Sequence, residues 1–256
     1  MKVLAVANLK GGVGKSTCCV NIGASLAEMG RRVLLVDTDP QGHLAVIFNV
    51  KPQATFHSFM IDGLKPEECW EEVRNNLFCI FSTKTTAATE QLLMSAIARE
   101  QVLAERMKTV AGFDYILIDT APSISVIQQN AIYYSRNLLI PVDMDYLSLI
   151  GARQIVDLSS ALREHLKIEY SIFGIIPTFV DARKLMTDAV LTELKRQYGD
   201  HGIPIFSPIR VDANLAKAAS KHQTIFQYDS NSRAAQDFVK VAKEVDRKVK
   251  PDRRHV

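Results

Sequence analysis

Residues 8–17 read NLKGGVGKST and directly follow the apolar run KVLAVA. Gly11, Gly12, Val13, Gly14, Lys15, Ser16 and Thr17 have the makings of a phosphate cradle. The glycines permit backbone conformations and close approaches that a Cβ would block, so successive N–H groups can converge on phosphate oxygens. A helix opening near Lys15 adds its positive N-terminal end. The Lys15 ammonium can reach β- and γ-phosphates, and the Ser16 hydroxyl is placed to ligate Mg2+. One position departs from the pattern G-x-x-x-x-G-K-[ST]. Leu9 stands where the first glycine belongs, with a second lysine, Lys10, beside it.

A phosphate loop also needs acidic residues to hold the metal's water shell and orient the attacking water. The run ILID ends on Asp119, where a carboxylate can reach Mg2+ through water. The segment VDTDPQG sets Asp37 and Asp39 just beyond another apolar run, and alternation puts both on one side if the strand continues that far. The same residues also suit a plain strand-end turn, since D-P and Q-G are common turn dipeptides.

Apolar, β-branched runs at 3–7, 32–37, 77–82, 114–119, 137–142, 171–177 and 203–208 have the composition of strands buried on both faces. Helical spacing appears at 15–29, 86–111, 125–135, 147–166, 184–198 and 231–249, and only 40–70 is loosely patterned. Alternating strand and helix predicts an α/β fold, a mostly parallel twisted sheet with helices on both faces. Such sheets place ligands at the carboxyl ends of their strands, where the loop, Asp39 and Asp119 all fall.

The chain of 256 residues suits one domain over 1–250, with 251–256 expected to fray. Its 47% hydrophobic and 23% charged residues are globular values, and no run approaches a membrane span. An expected strand from the second residue leaves no room for a signal peptide, which points to the cytosol. A net charge of +3 permits a local basic surface without requiring a nucleic-acid partner. Cys18, Cys19, Cys69 and Cys79 form no C-x-x-C pair and are expected to be reduced, structural thiols.

The motifs K-G-G-V-G-K-S-T, D-T-D-P-Q-G and I-D-T-A-P together resemble the deviant Walker A ATPases of the ParA/MinD group. Further on, G-I-I-P-T-F-V-D-A-R and Y-D-S-N-S-R-A-A-Q-D-F resemble the ParA (Soj-like) branch, here without an N-terminal helix-turn-helix. The likeness runs over nearly the whole chain. It implies a P-loop NTPase fold of the deviant Walker A type, ATP and Mg2+ as cofactors, and hydrolysis to ADP and phosphate that is slow without a partner. By this likeness Lys10 crosses a dimer interface to the phosphates bound by the other subunit. Lys15 and Ser16 match the phosphate and Mg2+ contacts, and Thr17 a residue near the α-phosphate. Asp39 matches the water-activating carboxylate close to the metal, Asp119 the Walker B residue, and Thr120 to Ser123 the γ-phosphate switch. Thr178 and Pro208 mark the adenine site.

The implied partners are a second copy of the chain, nonspecific double-stranded DNA and a ParB-like adaptor. Plasmid, chromosome or another cargo would be positioned by a cytoplasmic protein that joins the nucleoid when ATP-bound. Arg183 aligns with a DNA-contacting arginine, and Lys184, Arg210, Lys217, Lys221 and Arg233 are further candidates. Asn214 stands where relatives carry a second arginine, so Lys217 or Lys221 would have to compensate.

Three rival readings can be weighed. A MinD-like membrane-associated ATPase would use a C-terminal amphipathic helix, and Phe238, Val241, Val245 and Val249 do recur at helical spacing. Their apolar side is mostly valine and alanine, without bulky interfacial anchors. A small-molecule ligase on the same fold would need a second catalytic constellation, and none is evident. An iron–sulfur carrier would need later cysteines, and none follows Cys79.

Overall fold

The computed structural model describes residues 1–249. Seven strands form one sheet: β1 (Lys2–Val6), β2 (Val33–Asp37), β3 (Trp70–Arg74), β4 (Leu77–Ile80), β5 (Tyr115–Asp119), β6 (Asn137–Asp143) and β7 (Ser171–Thr178). Their order across the sheet is β3-β4-β2-β5-β1-β6-β7, and every pairing except β3 with β4 is parallel. Register sets Val6 beside Asp119 and Asp37 beside Asp119, so the loop after β1 emerges at the carboxyl ends of its two acidic neighbours.

The helices are α1 (Lys15–Glu28), α2 (His43–Phe48), α3 (Phe56–Met60), α4 (Pro66–Cys69), α5 (Thr86–Leu93), α6 (Val102–Arg106), α7 (Val126–Ser135), α8 (Tyr146–Leu166), α9 (Leu185–Gln197), α10 (Ala213–Ser220), α11 (Ile225–Asp229) and α12 (Arg233–Val249). Strand alternation divides the core between the two faces of the sheet. Ala5, Val36, Ile118 and Ile140 pack with α7 and α8 on one face, whereas Leu4, Leu35, Leu117 and Leu139 pack with α1 and α12 on the other. The apolar stripe of α12, with Phe238, Val241 and Val245, is fully buried in that second core. Those three side chains are therefore closed to a bilayer, and among the described residues no helix is long and apolar enough to cross a membrane. All four cysteines are free and buried.

Several elements differ from expectation. Residues 203–208 do not make a strand: only Ile205 bridges β7, through Ile175. Pro204 and Pro208 have no N–H to give a ladder, which limits this segment to scattered bonds such as that from Phe206 N to the Ile175 carbonyl. The helical spacing over 86–111 breaks into α5, α6 and two 3-10 turns, with Ala98 at φ 50° interrupting the run. The loosely patterned 40–70 holds α2, α3 and α4. From its last residue, β3 closes the sheet edge as an unexpected antiparallel strand, which makes the strand ending at Asp119 the fifth. The frayed tail expected at 251–256 lies outside the described residues.

Candidate nucleotide-binding site

The loop between β1 and α1 borders a cavity of about 650 Å3. Gly12 and Gly14 adopt φ 79° and 88°, the left-handed region, turning the chain so that α1 starts at Lys15 facing the cavity. Asn8 holds the base of the loop. Its Nδ2 donates to the Pro141 carbonyl at 2.8 Å and the Ser148 carbonyl at 3.2 Å, while its Oδ1 accepts from Lys10 N at 2.9 Å. The close approach of α8 depends on Gly151, where an added Cβ would fall 2.3 Å from Asn8 Oδ1.

Beneath the loop, Lys15 is buried and its Nζ donates to the Lys10 carbonyl at 3.1 Å. Burial lowers its pKa, and the charges of Asp119 and Asp39 oppose that shift. Asp119 is fully buried, and neither carboxylate oxygen has a hydrogen-bond partner of normal geometry. Loss of solvation raises its pKa to about 7, against the opposing pull of the nearby Ser16 hydroxyl and the Lys15 charge. An orphaned carboxylate beside a hydroxyl at a phosphate cradle matches what Mg2+ requires, a hard cation held by one or two protein oxygens, phosphate and water. No cluster of three or more His, Cys, Asp or Glu residues suited to a metal occurs among the described residues.

The two aspartates after β2 separate in role. Asp37 is fully buried and accepts from the N–H groups of Asp39 at 3.0 Å and Leu44 at 3.3 Å, so it braces the turn and does not face the cavity. Burial raises its pKa, and the Asp119 charge adds to the shift. Asp39 lines the cavity, its Oδ1 accepting from Gln41 N at 2.9 Å. The condition for both to point to one side, a strand that continues to Asp39, is not met, because β2 ends at Asp37.

Lys10 does not enter its own cradle. Its Nζ lies 3.1 Å from Asp143 and 3.4 Å from Asp145, at the end of β6. Next to this pair, Tyr146, Leu147 and Ile150 expose apolar side chains on the first turns of α8. Gly11, Gly12, Gly14, Ser16 and Thr17 line the cavity. Val13 is buried behind them, and its carbonyl accepts from the Thr178 hydroxyl at 2.9 Å. Thr178 thus supports the loop from behind, and Pro208 does not line the cavity either. Sequence reasoning missed the wall residues His43, Val46, Ile47, Phe179, Ala219 and Ser220. Phe179, directly after Thr178 at the end of a strand, was the one with a readable signal.

Of the basic candidates, Arg183, Lys184, Lys217, Lys221 and Arg233 are exposed. Arg183 forks onto Asp181 at 2.8 and 2.9 Å yet keeps 88% of its side chain in solvent. Arg210 differs: it is half-buried, with two nitrogens 2.8 Å from the buried Asp237 carboxylate. That fork ties the segment to α12 and leaves Arg210 poorly disposed to contact phosphate. Lys217 belongs to α10, and Lys221 caps it, the short helix whose Ala219 and Ser220 wall the cavity. Asn214 donates to Asp229 at 2.9 Å, a structural bond.

A family model described as an AAA domain matches residues 1–172. The sporulation initiation inhibitor protein Soj of Bacillus subtilis is 34% identical over 95% of this chain and 98% of its own length. The chain belongs to the ParA/Soj family of ATPases. Consistent with that membership, the chromosome-partitioning ATPase Soj of Thermus thermophilus is 30% identical over 94% of both chains. Among solved structures, a cobyrinic acid a,c-diamide synthase of Mycobacterium smegmatis with bound ADP and magnesium superposes with a TM-score of 0.83, at 27% identity over 96% of this chain and 94% of that one.

Proposed function

We propose that this ParA/Soj-family chain is an ATP-dependent dimeric switch that positions a plasmid, chromosome or other cargo on DNA. The observation that carries the reading is the unpartnered, buried Asp119 carboxylate beside Ser16 at the mouth of a glycine cradle. With ATP in place, Gly11 to Gly14 present N–H groups to the phosphates and Lys15 turns from the Lys10 carbonyl toward them. Ser16 and Asp119 would hold Mg2+, which would neutralise charge on the phosphates. Asp39, on the cavity wall, orients the attacking water. A loose phosphoryl transition state asks for positioning more than for a strong base.

Lys10 serves the second copy of the chain. Phosphate of the partner's nucleotide competes with Asp143 and Asp145 for its ammonium, and Tyr146, Leu147 and Ile150 supply apolar area beside it. Loss of the γ-phosphate weakens that attraction, which makes the dimer report the nucleotide state. Arg183 and Lys184, with Lys217 and Lys221, supply the exposed positive charge for nonspecific duplex DNA, and a ParB-like adaptor accelerates hydrolysis. The protein is then cytoplasmic, on the nucleoid while ATP-bound, with 1–250 forming the ATPase domain.

The test is co-sedimentation with random-sequence duplex DNA at fixed low salt, with no nucleotide, ADP or ATP plus Mg2+. Wild type should bind only with ATP, Asp39→Ala should bind longer because it cannot turn over, and Arg183→Glu should bind weakly with a shallower salt dependence. Absence of DNA binding in every nucleotide state would end the DNA reading and make a protein scaffold the next candidate.

A further inference from the structure

Helix α7 buries two side-chain amides and treats them unequally. Asn130 is bonded at both ends: its Oδ1 accepts from Leu103 N at 2.9 Å, and its Nδ2 donates to the Arg99 carbonyl at 2.6 Å and the Val126 carbonyl at 2.8 Å. Gln128, in the first turn and 1% exposed, makes one long side-chain bond, from Nε2 to the Ala121 carbonyl at 3.3 Å. Its Oε1 has no partner. Turning the amide round would set two oxygens against each other, so the Ala121 carbonyl fixes which end is the donor. A buried acceptor left without a donor carries the full desolvation cost of that group, and such a group in a folded protein calls for a reason.

The Ala121 carbonyl belongs to the segment that crosses from β5 to α7 along the cavity. Both ends of that crossing are pinned. The Thr120 hydroxyl donates to the Val6 carbonyl at 3.0 Å, and the Ser125 hydroxyl caps α7 by accepting from Gln128 N at 3.1 Å. Between the pins, Pro122 lines the cavity beside Gly11, where an added Cβ would meet the proline Cγ at 3.9 Å. Pro122, Ser123 and Ile124 are exposed, and the bond from Gln128 is the one that Ala121 to Ile124 make among the described residues. The N–H groups of Ser123 and Ile124 therefore have no protein partner there. An unspent buried acceptor adjoins a segment with unspent donors.

We propose that Gln128 is a positioning residue with two bonds to offer this segment, of which the ligand-free chain makes one. When the terminal phosphate of a nucleoside triphosphate fills the space beside Gly11 and Pro122, the segment shifts to receive it, and one of its N–H groups completes the bond to Gln128 Oε1. The inference rests on the reading of the cavity as a nucleotide site and adds the residue that sets its two states apart. Satisfying a buried acceptor favours the shifted arrangement, and the pinned ends keep the shift local. A diphosphate has no differential contact with that arrangement and leaves the second bond unmade. Gln128 touches no ligand; it acts through the segment.

Amide hydrogen exchange over residues 120–125 tests this, in wild type and Gln128→Met, with no ligand, with Mg·ADP, and with Mg2+ and a nonhydrolysable ATP analogue. In wild type the analogue should slow exchange across the segment about ten-fold beyond ADP, equal to about 1.4 kcal/mol, whereas in Gln128→Met the two ligands should give one rate. Methionine fills a similar volume without the amide, so the ligand-free variant should melt within about 2 °C of wild type. In steady-state hydrolysis kcat should fall about ten-fold in Gln128→Met while KM for ATP stays within about two-fold. Equal protection by the analogue in wild type and variant would overturn the proposal, as would a wild type that ADP protects as well as the analogue does. So would a variant that melts about 5 °C or more below wild type with kcat unchanged, which would make Gln128 a part of the fold alone. Failure of wild type to bind either nucleotide by calorimetry would overturn the nucleotide reading, and this inference with it.

Discussion

Strand β5 meets a buried carboxylate at each end, and the two could hardly be treated more differently. At its start, the Tyr115 hydroxyl donates to Asp246 at 2.9 Å, and Arg31 forks onto the same carboxylate with two bonds of 3.0 Å. At its finish, neither Asp119 oxygen has a hydrogen-bond partner of normal geometry. Asp246 is 5% exposed and Asp119 0%, so burial does not separate them. Partnership does. A buried charge with its bonds complete fixes α12 and the turn after α1 against the sheet. One left incomplete carries a desolvation cost that folding alone does not offset, and that cost is relieved when a cation arrives. The incomplete end is the end with the glycine loop.

This contrast predicts that damage at the two ends will be read by different instruments. The largest effect belongs to the cradle. Lys15→Ala removes the one cation set beneath the loop and leaves Asp119 and Asp39 uncompensated against incoming phosphate, so Mg·ADP affinity should fall about 100-fold or more by calorimetry. The folded fraction should melt close to wild type. At the other end, Asp246→Ala orphans the Tyr115 hydroxyl and breaks the fork to Arg31, which should cost about 3 kcal/mol in urea unfolding. Its nucleotide affinity below the transition should match wild type. If Asp246→Ala lost nucleotide as Lys15→Ala does, the division into a structural end and a ligand end would be wrong.

What the sequence made legible follows the same division. The loop, Asp39 and Asp119 could be read because each follows directly on an apolar run, and the parallel sheet delivers such positions to one edge. Lys10 was visible as an anomaly, but its partners Asp143 and Asp145 lie more than 130 residues away, and only the register of β6 beside β1 brings them near. Arg210 illustrates the opposite failure. Its chemistry suits DNA, and nothing local announces that Asp237, from α12, already occupies its guanidinium. Trp70–Arg74 escaped because WEEVR is a short edge strand with three charged residues, a pattern that protects an edge and conceals a strand. Residues 203–208 misled in reverse: their composition is that of a strand, and their prolines veto the ladder. Local pattern therefore located the candidate phosphate cradle, while pairings set by tertiary contact decided which charges remain free.

The smallest predicted effect probes the incomplete carboxylate most directly. Burial lifts the Asp119 pKa from 3.8 to about 7. Between those values the folded chain holds a proton that the unfolded chain has released, so the ligand-free protein loses stability from this group as pH rises through that window, and the loss is complete above it. Asp119→Asn resembles the protonated state at every pH. It should flatten this part of the slope and raise the ligand-free melting temperature at pH 8 by about 3 °C or more, while at pH 5, early in the window, the gain should be less than half as large. Mg2+ demands the opposite ionisation. In wild type the extra thermal stabilisation that Mg2+ adds to ADP should grow between pH 6 and pH 8 as the carboxylate becomes available, and in Asp119→Asn it should be small at both. A variant that matched wild type in ligand-free slope and in Mg2+ response would make Asp119 as structural as Asp246, and the contrast between the two ends of β5 would collapse.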